Sequence, residues 1–156
     1  MRKLFEQEYL KIEKSLFLVA IGYLHNTEDA KDAVQEAVVC AYKSFDKLKH
    51  MEYFKTWLTR IVINKSKDFL KKKKYTAELT DNLNSFYNMP TEDFEIMEAI
   101  CKLDSKMALY ITLKFYNDMT YEEISRLLKL PVSTVKYRTS KALKKLKKIL
   151  EGGDVL

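Results

Sequence analysis

Ala30, Ala33, Val34, Ala37, Val38, Ala41, Tyr42 and Phe45 recur at i, i+3, i+4, i+7, i+8, i+11, i+12 and i+15. A strand would alternate its side chains with a period of two and could not gather this set on one face; an α-helix can. Asn26 stands where the N-cap of that helix belongs, with Glu28 and Asp29 in the first turn beside the positive end of the helix dipole. Its remaining faces carry Asp29, Asp32, Gln35 and Glu36. That acidic patch is open to two readings, a solvated helix face or a docking surface for a partner.

The same period recurs elsewhere. Leu4, Phe5, Tyr9, Ile12, Leu16, Val19, Ala20 and Tyr23 mark a helix over 4–24. Phe54, Leu58, Ile61, Val62 and Phe69 mark another over 54–74, after a polar connection from Lys47 to Tyr53. Only three Gly and two Pro occur in 156 residues, which favours long helices over a turn-rich β fold. No apolar run approaches the roughly 20 residues that span a bilayer. The first residues, MRKLFEQEYLKIEK, are too charged for a secretory signal, so a soluble cytoplasmic protein is expected.

Charge is organised in blocks. Residues 1–75 hold 16 Lys or Arg against 10 Asp or Glu, residues 76–100 none against 6, and residues 101–156 hold 12 against 6. Basic blocks favour polyanions through phosphate neutralisation and counterion release. Residues 76–94, with weak periodicity and polar clusters, read as an acidic, flexible linker between an N-terminal helical domain (1–75) and a C-terminal one (95–150), followed by a tail at 151–156.

In FKTWLTRIVINKSKDFLKKKK (54–74), Trp57, Asn64 and Lys71 form a seven-residue stripe apart from the apolar face, and Arg60 and Lys67 lie within about 60° of it. An aromatic ring beside amide and cationic groups suits a surface that stacks bases and reaches phosphates. A ring at the edge of the core beside a solvated helix end fits the same residues equally well.

Thr120–Leu150 reads as two helices around a corner. Thr120 with Glu123 gives the capping-box pattern, and Ile124, Leu127 and Leu128 give a short apolar face. Lys129-Leu130-Pro131 interrupts, with Lys129 where a positive φ is expected. Val132, Val135, Ala142, Leu143, Leu146, Ile149 and Leu150 line one side of the second helix. Ser133, Lys136, Tyr137, Ser140, Lys141, Lys144 and Lys148 line the other. This is the layout of a DNA-reading helix-turn-helix, and also of an ordinary helical hairpin with a Lys-rich face. Upstream, Phe94–Leu103 reads as a helix, Asp104 as the cap of a helix holding Leu109, Tyr110, Leu113 and Tyr116, and Asn117-Asp118 as its break.

Nothing in the residues suggests catalysis. There is no Gly-rich phosphate loop, no paired Cys or His, and no nucleophile–base spacing, so no catalytic residue, metal, cofactor or small-molecule substrate is expected. Cys40 and Cys101 read as buried small hydrophobes, and His25 and His50 as isolated.

Together these stretches resemble the extracytoplasmic-function sigma factors of the sigma-70 family, over nearly the whole chain and in the family's order. NTEDAKDAVQEAVVCAYKSFDKL (26–48) resembles the helix that docks on RNA polymerase. FKTWLTRIVINKSKDFLKKKK resembles the helix that melts and reads the minus-ten element. MTYEEISRLLKLPVSTVKYRTSKALKKLKK (119–148) resembles the helix-turn-helix that reads the minus-thirty-five element. The resemblance implies an all-α protein of two small helical domains whose partners are core RNA polymerase, promoter DNA and an anti-sigma factor, often membrane-bound. It assigns polymerase binding to Asp29, Asp32, Gln35 and Glu36, and strand opening to Trp57, Arg60, Asn64, Lys67 and Lys71. It assigns upstream recognition to Ser133, Thr134, Lys136, Tyr137, Arg138 and Lys141, with Arg138 facing nearer the core and so expected at a phosphate or an ion pair. The chain departs from the family's usual Gly at Lys129 and near Asn117-Asp118, from its Leu-Pro at Leu103-Asp104, and from a small residue at Tyr137, which bears on the bases read.

Overall fold

Two adjacent residues, one of them the N-cap expected from the sequence, set the first corner. His25 takes a left-handed φ of 51° and ends the first helix, and Asn26 starts the second by accepting the backbone N–H of Asp29 at 3.0 Å. The computed structural model describes residues 2–76 and 91–152, and among them all regular structure is helical. The N-terminal half holds α1 (Arg2–Leu24), α2 (Thr27–Lys43) and α3 (Phe54–Thr76). The C-terminal half holds α4 (Thr91–Cys101), α5 (Ser105–Ile111), α6 (Tyr121–Leu128) and α7 (Val132–Leu150). Most of the expected linker, residues 77–90, lies outside the described residues; Thr76 closes α3, and Thr91 opens α4 three residues earlier than expected.

The N-terminal half closes around an aromatic cluster. The Phe5 ring meets those of Phe45, Phe54 and Tyr42 edge-on at 5.2, 5.4 and 5.5 Å. Such pairs contribute about 0.5–1.5 kcal/mol each beyond area burial. The connection from α2 to α3 is two short 3₁₀ turns, Phe45–Lys47 and Met51–Tyr53, rather than an unstructured loop.

The two halves share one hydrophobic core, and α1 runs between them. In its second half Leu16, Leu18, Val19, Ala20 and Ile21 are all buried. A helix apolar on every side is an interior helix. Its crossing with α5 is close at Gly22, where an added Cβ would lie 3.0 Å from the Ala108 Cβ and α5 would have to give by a few tenths of an ångström. After α5 the helix widens over Thr112–Tyr116 into a π turn, with Asn117 N–H bonded to the Thr112 carbonyl at 2.9 Å, and Asp118 (φ 51°) ends it. Asp104 caps α5 by accepting from Met107 N–H at 2.8 Å.

The α6–α7 corner follows its sequence signals. The Thr120 hydroxyl accepts from Glu123 N–H at 3.1 Å, and the Glu123 carboxylate accepts from Thr120 N–H at 3.2 Å. Lys129 caps α6 in the left-handed region (φ 58°, ψ 47°). Leu130 N–H reaches back to the Ser125 carbonyl at 3.1 Å.

Several burial expectations are corrected. Cys40 is exposed rather than buried, because it lies on the side of α2 away from Ala37 and Ala41. Leu4, Tyr42 and Leu150 are exposed near helix ends, and Tyr42 keeps only an edge of its ring against Phe5. Ile61 and Phe69 are only half-buried. Their place in the α3 core is taken by Ile63, Thr59 and Ser66, the last two satisfied by donating to the Lys55 and Val62 carbonyls at 2.6 and 2.8 Å.

Candidate nucleic-acid interface

The α3 stripe is presented as the heptad spacing demands. Arg60, Asn64, Lys67 and Lys71 are exposed, and Trp57 is half-buried at their head, its ring 6.0 Å from that of Phe54 and tilted by 51°. From Trp57 to Lys71 the stripe is about 21 Å long at 1.5 Å per residue. One edge of it borders a groove. Arg60, Ile63, Asn64 and Lys67 line a groove whose other wall is Leu127, Leu128 and Lys129, from the corner between α6 and α7.

The outer face of α7 presents Ser133, Lys136, Tyr137 and Lys141, with Thr134 half-buried beside them. Tyr137 is 66% exposed, far more than a packing residue, and stands free at the centre of that face. Lys136 is partly tethered, its ammonium 5.7 Å from the centre of the Tyr121 ring. Lys114 lies over the same ring at 4.3 Å, which adds a second cation beside the recognition helix. Arg138 is exposed on α7, and its Nη1 donates to the Tyr110 hydroxyl at 3.1 Å, a neutral partner in place of the expected phosphate or ion pair. Tyr23 from α1 completes this seam, its hydroxyl pushed up to about 12 by burial and by neighbouring Tyr110, so it stays neutral near pH 7.

On α2, Asp32, Gln35 and Glu36 are exposed, and Asp29 is half-buried in the first turn. The acidic residues do not form an isolated solvated face. Asp32, Gln35 and Glu36 line a groove with Val39 and Cys40 of α2 and with Lys65, Phe69 and Lys72 of α3. The groove thus mixes two carboxylates and two lysines with Val39, Cys40 and Phe69, and polar groups around apolar ones suit a protein docking surface.

The sequence reading did not place Lys114 and Tyr121 beside the outer face of α7, Lys129 beside the α3 stripe, or Val39, Lys65, Phe69 and Lys72 in the groove with the acidic residues of α2. Each joins its surface across two helices, which the periodicity of one helix does not show. Among the described residues no cluster of three His, Cys, Asp or Glu could hold a metal ion, and no helix is long and apolar enough to cross a membrane.

These surfaces sit in regions that match known families. Residues 9–76 match sigma-70 region 2 and residues 93–146 match sigma-70 region 4. The chain is 30% identical over 136 residues to the RNA polymerase sigma factor SigV of Bacillus subtilis, covering 85% of this chain and 82% of that one. It is 31% identical over 154 residues to the ECF RNA polymerase sigma factor SigW of the same organism, with coverages of 86% and 82%. In fold it is similar to the sigma factor RpoE of Bartonella quintana, solved with the anti-sigma factor NepR, at a TM-score of 0.73 and 23% identity over 98% of this chain and 99% of that one. The chain therefore belongs to the sigma-70 family, as a sigma factor of the extracytoplasmic-function type that directs RNA polymerase to promoters.

Proposed function

We propose that this sigma factor divides its work among three surfaces. The α2–α3 groove, lined by Asp32, Gln35 and Glu36, docks on core RNA polymerase together with Asp29 in the first turn of α2. The α3 stripe of Trp57, Arg60, Asn64, Lys67 and Lys71 captures unpaired bases of the minus-ten element, where unstacking costs a few kcal/mol per base. On α7, Ser133, Thr134, Lys136, Tyr137 and Lys141 read the minus-thirty-five element in the major groove, and phosphate contacts set the register. Arg138 belongs to the scaffold of that helix.

The observation that carries this reading is the α3 stripe: one half-buried ring followed by one amide and three cations exposed along one side of one helix. The chain does no polymerisation chemistry itself, since that belongs to the core enzyme, and it works in the cytoplasm where that enzyme is. An anti-sigma factor is the expected inhibitor, by analogy with the complex of RpoE and NepR.

The test is co-elution of the purified protein with core RNA polymerase, then run-off transcription from a promoter pool. Stable binding with new, discrete start sites supports the reading. Tight duplex binding by the protein alone, without affinity for core, would overturn it in favour of a stand-alone regulator.

A further inference from the structure

Lys129 holds a backbone conformation that suits glycine better than lysine. It caps α6 in the left-handed region, at φ 58° and ψ 47°, which a Cβ disfavours. Its side chain is exposed and stands across a groove from Arg60 and Lys67 of α3. Asn64 lies between those two, and Ile63, Leu127 and Leu128 complete the lining. Three cations therefore share one groove. Among the described residues none of the three pairs with a carboxylate, and no residue of the lining is acidic. We propose that this groove is a binding site for a mononucleotide, its phosphate held by Arg60, Lys67 and Lys129 and its base by Asn64 and Leu128.

The anion follows from the charges. Arg60 and Lys67 are two helical turns apart, about 10 Å along α3, so their long side chains can reach one phosphate between them. Helix α6 packs beside them, with Cα atoms of the two helices within 8 Å, and its cap brings in the third cation. Like charges gathered this way repel, and more strongly beside apolar walls than in open water. A phosphate monoester removes that repulsion, and a guanidinium can grip two of its oxygens at once. The backbone of Lys129 points the same way. A glycine would turn this corner without strain, so a lysine held there is a strained residue for which the groove supplies a use.

The base follows from the rest of the lining. Ile63 and Leu127 are nearly covered, at 4% and 7% exposed, so the apolar surface offered to a ligand comes mainly from half-buried Leu128. The Asn64 amide both donates and accepts, which matches the paired donors and acceptors on the edge of a nucleobase. The groove encloses about 340 Å³. That is near the lower end for small-ligand sites, with room for one nucleotide and not for a strand of several. Binding needs neither promoter nor polymerase, so its test is independent of the minus-ten assignment of the same Arg60, Asn64 and Lys67.

Calorimetric titration of the full chain with AMP, GMP, CMP and UMP tests the proposal, with the matching nucleosides and inorganic phosphate as partial ligands. At least one mononucleotide should bind one-to-one with a Kd below about 1 mM in 0.1 M salt. Its nucleoside and inorganic phosphate should each bind at least about tenfold more weakly, because each lacks one half of the contacts. Lys129→Gly should weaken the nucleotide about tenfold, the loss of one charge-assisted contact. The same substitution should hold or raise the melting temperature, because glycine relaxes the left-handed cap. Lys148→Ala, exposed on α7 and outside the groove, removes the same charge and should leave the affinity within about twofold. Equal weakening by the two variants would mean diffuse attraction of a basic chain for an anion and would overturn the site. Absence of binding by all four nucleotides would overturn it as well. Inorganic phosphate binding as tightly as the nucleotide would overturn the roles of Asn64 and Leu128.

Discussion

Arg138 donates from Nη1 to the Tyr110 hydroxyl at 3.1 Å and so ties the recognition helix α7 to α5. Tyr110 is 4% exposed, so its hydroxyl has no easy alternative in water. Arg138→Ala should lower stability by about 1 kcal/mol, the typical net value of one hydrogen bond. It should leave discrimination between intact and scrambled upstream elements unchanged. Lys136→Ala should do the reverse, leaving the melting temperature nearly constant and reducing discrimination by about 1–3 kcal/mol if the ammonium contacts a base. Thermal melts paired with binding to the two duplexes separate the roles. Loss of discrimination in Arg138→Ala at unchanged stability would reverse the assignment.

Asn64 stands exposed midway along the α3 stripe, between Arg60 and Lys67. It lies outside the groove that holds Asp32, Gln35 and Glu36. Asn64→Ala should therefore impair promoter opening and leave affinity for core polymerase intact. Permanganate footprinting of unpaired thymines on a duplex promoter reads the first, and co-elution the second. Equal opening by wild type and variant would remove Asn64 from strand capture.

Much of this was legible in single helices. The capping box at Thr120 and Glu123, the N-cap at Asn26 and the left-handed Lys129 each depend on residues within a few positions, and the structure has them as read. The helical periods also placed Trp57 off the core face, where it is half-buried. What could not be read was how helices meet. Leu18 and Ile21 were not picked out because α1 was taken to have one apolar face, and it has a second one against α5. Asn117 was read as a helix breaker because its partners, Ser15 and Thr59, are distant in sequence. The α2–α3 groove needed Lys65 and Phe69 of α3 beside the acidic residues of α2, which no single-helix pattern contains.

The two cysteines should differ sharply in reactivity. Cys40 is exposed and lines the proposed docking groove beside Glu36 and Lys72. Burial pushes the Cys101 thiol up to about 12, with the nearby Glu98 carboxylate adding to the rise, so it carries almost no thiolate at pH 8. Iodoacetamide should modify one thiol in the native protein and the second only on unfolding. The singly modified protein should lose most of its affinity for core polymerase and keep its melting temperature. Undiminished co-elution after modification would move the docking surface away from this part of α2.

Thr139 lies inside α7 at 1% exposure, and its hydroxyl has no hydrogen-bond partner among the described residues. A buried hydroxyl without a partner costs about 1–3 kcal/mol, and valine has nearly the same shape without that group. Thr and Val also have similar helix propensities, so the backbone is indifferent to the exchange. Thr139→Val should therefore stabilise the protein by about 1 kcal/mol, which for a chain of this size is a rise of about 2–4 °C in melting temperature. Upstream-element discrimination should be unchanged, because the hydroxyl points into the core rather than toward the face of Lys136 and Tyr137. A fall in melting temperature would mean that the hydroxyl is satisfied in solution by a bound water.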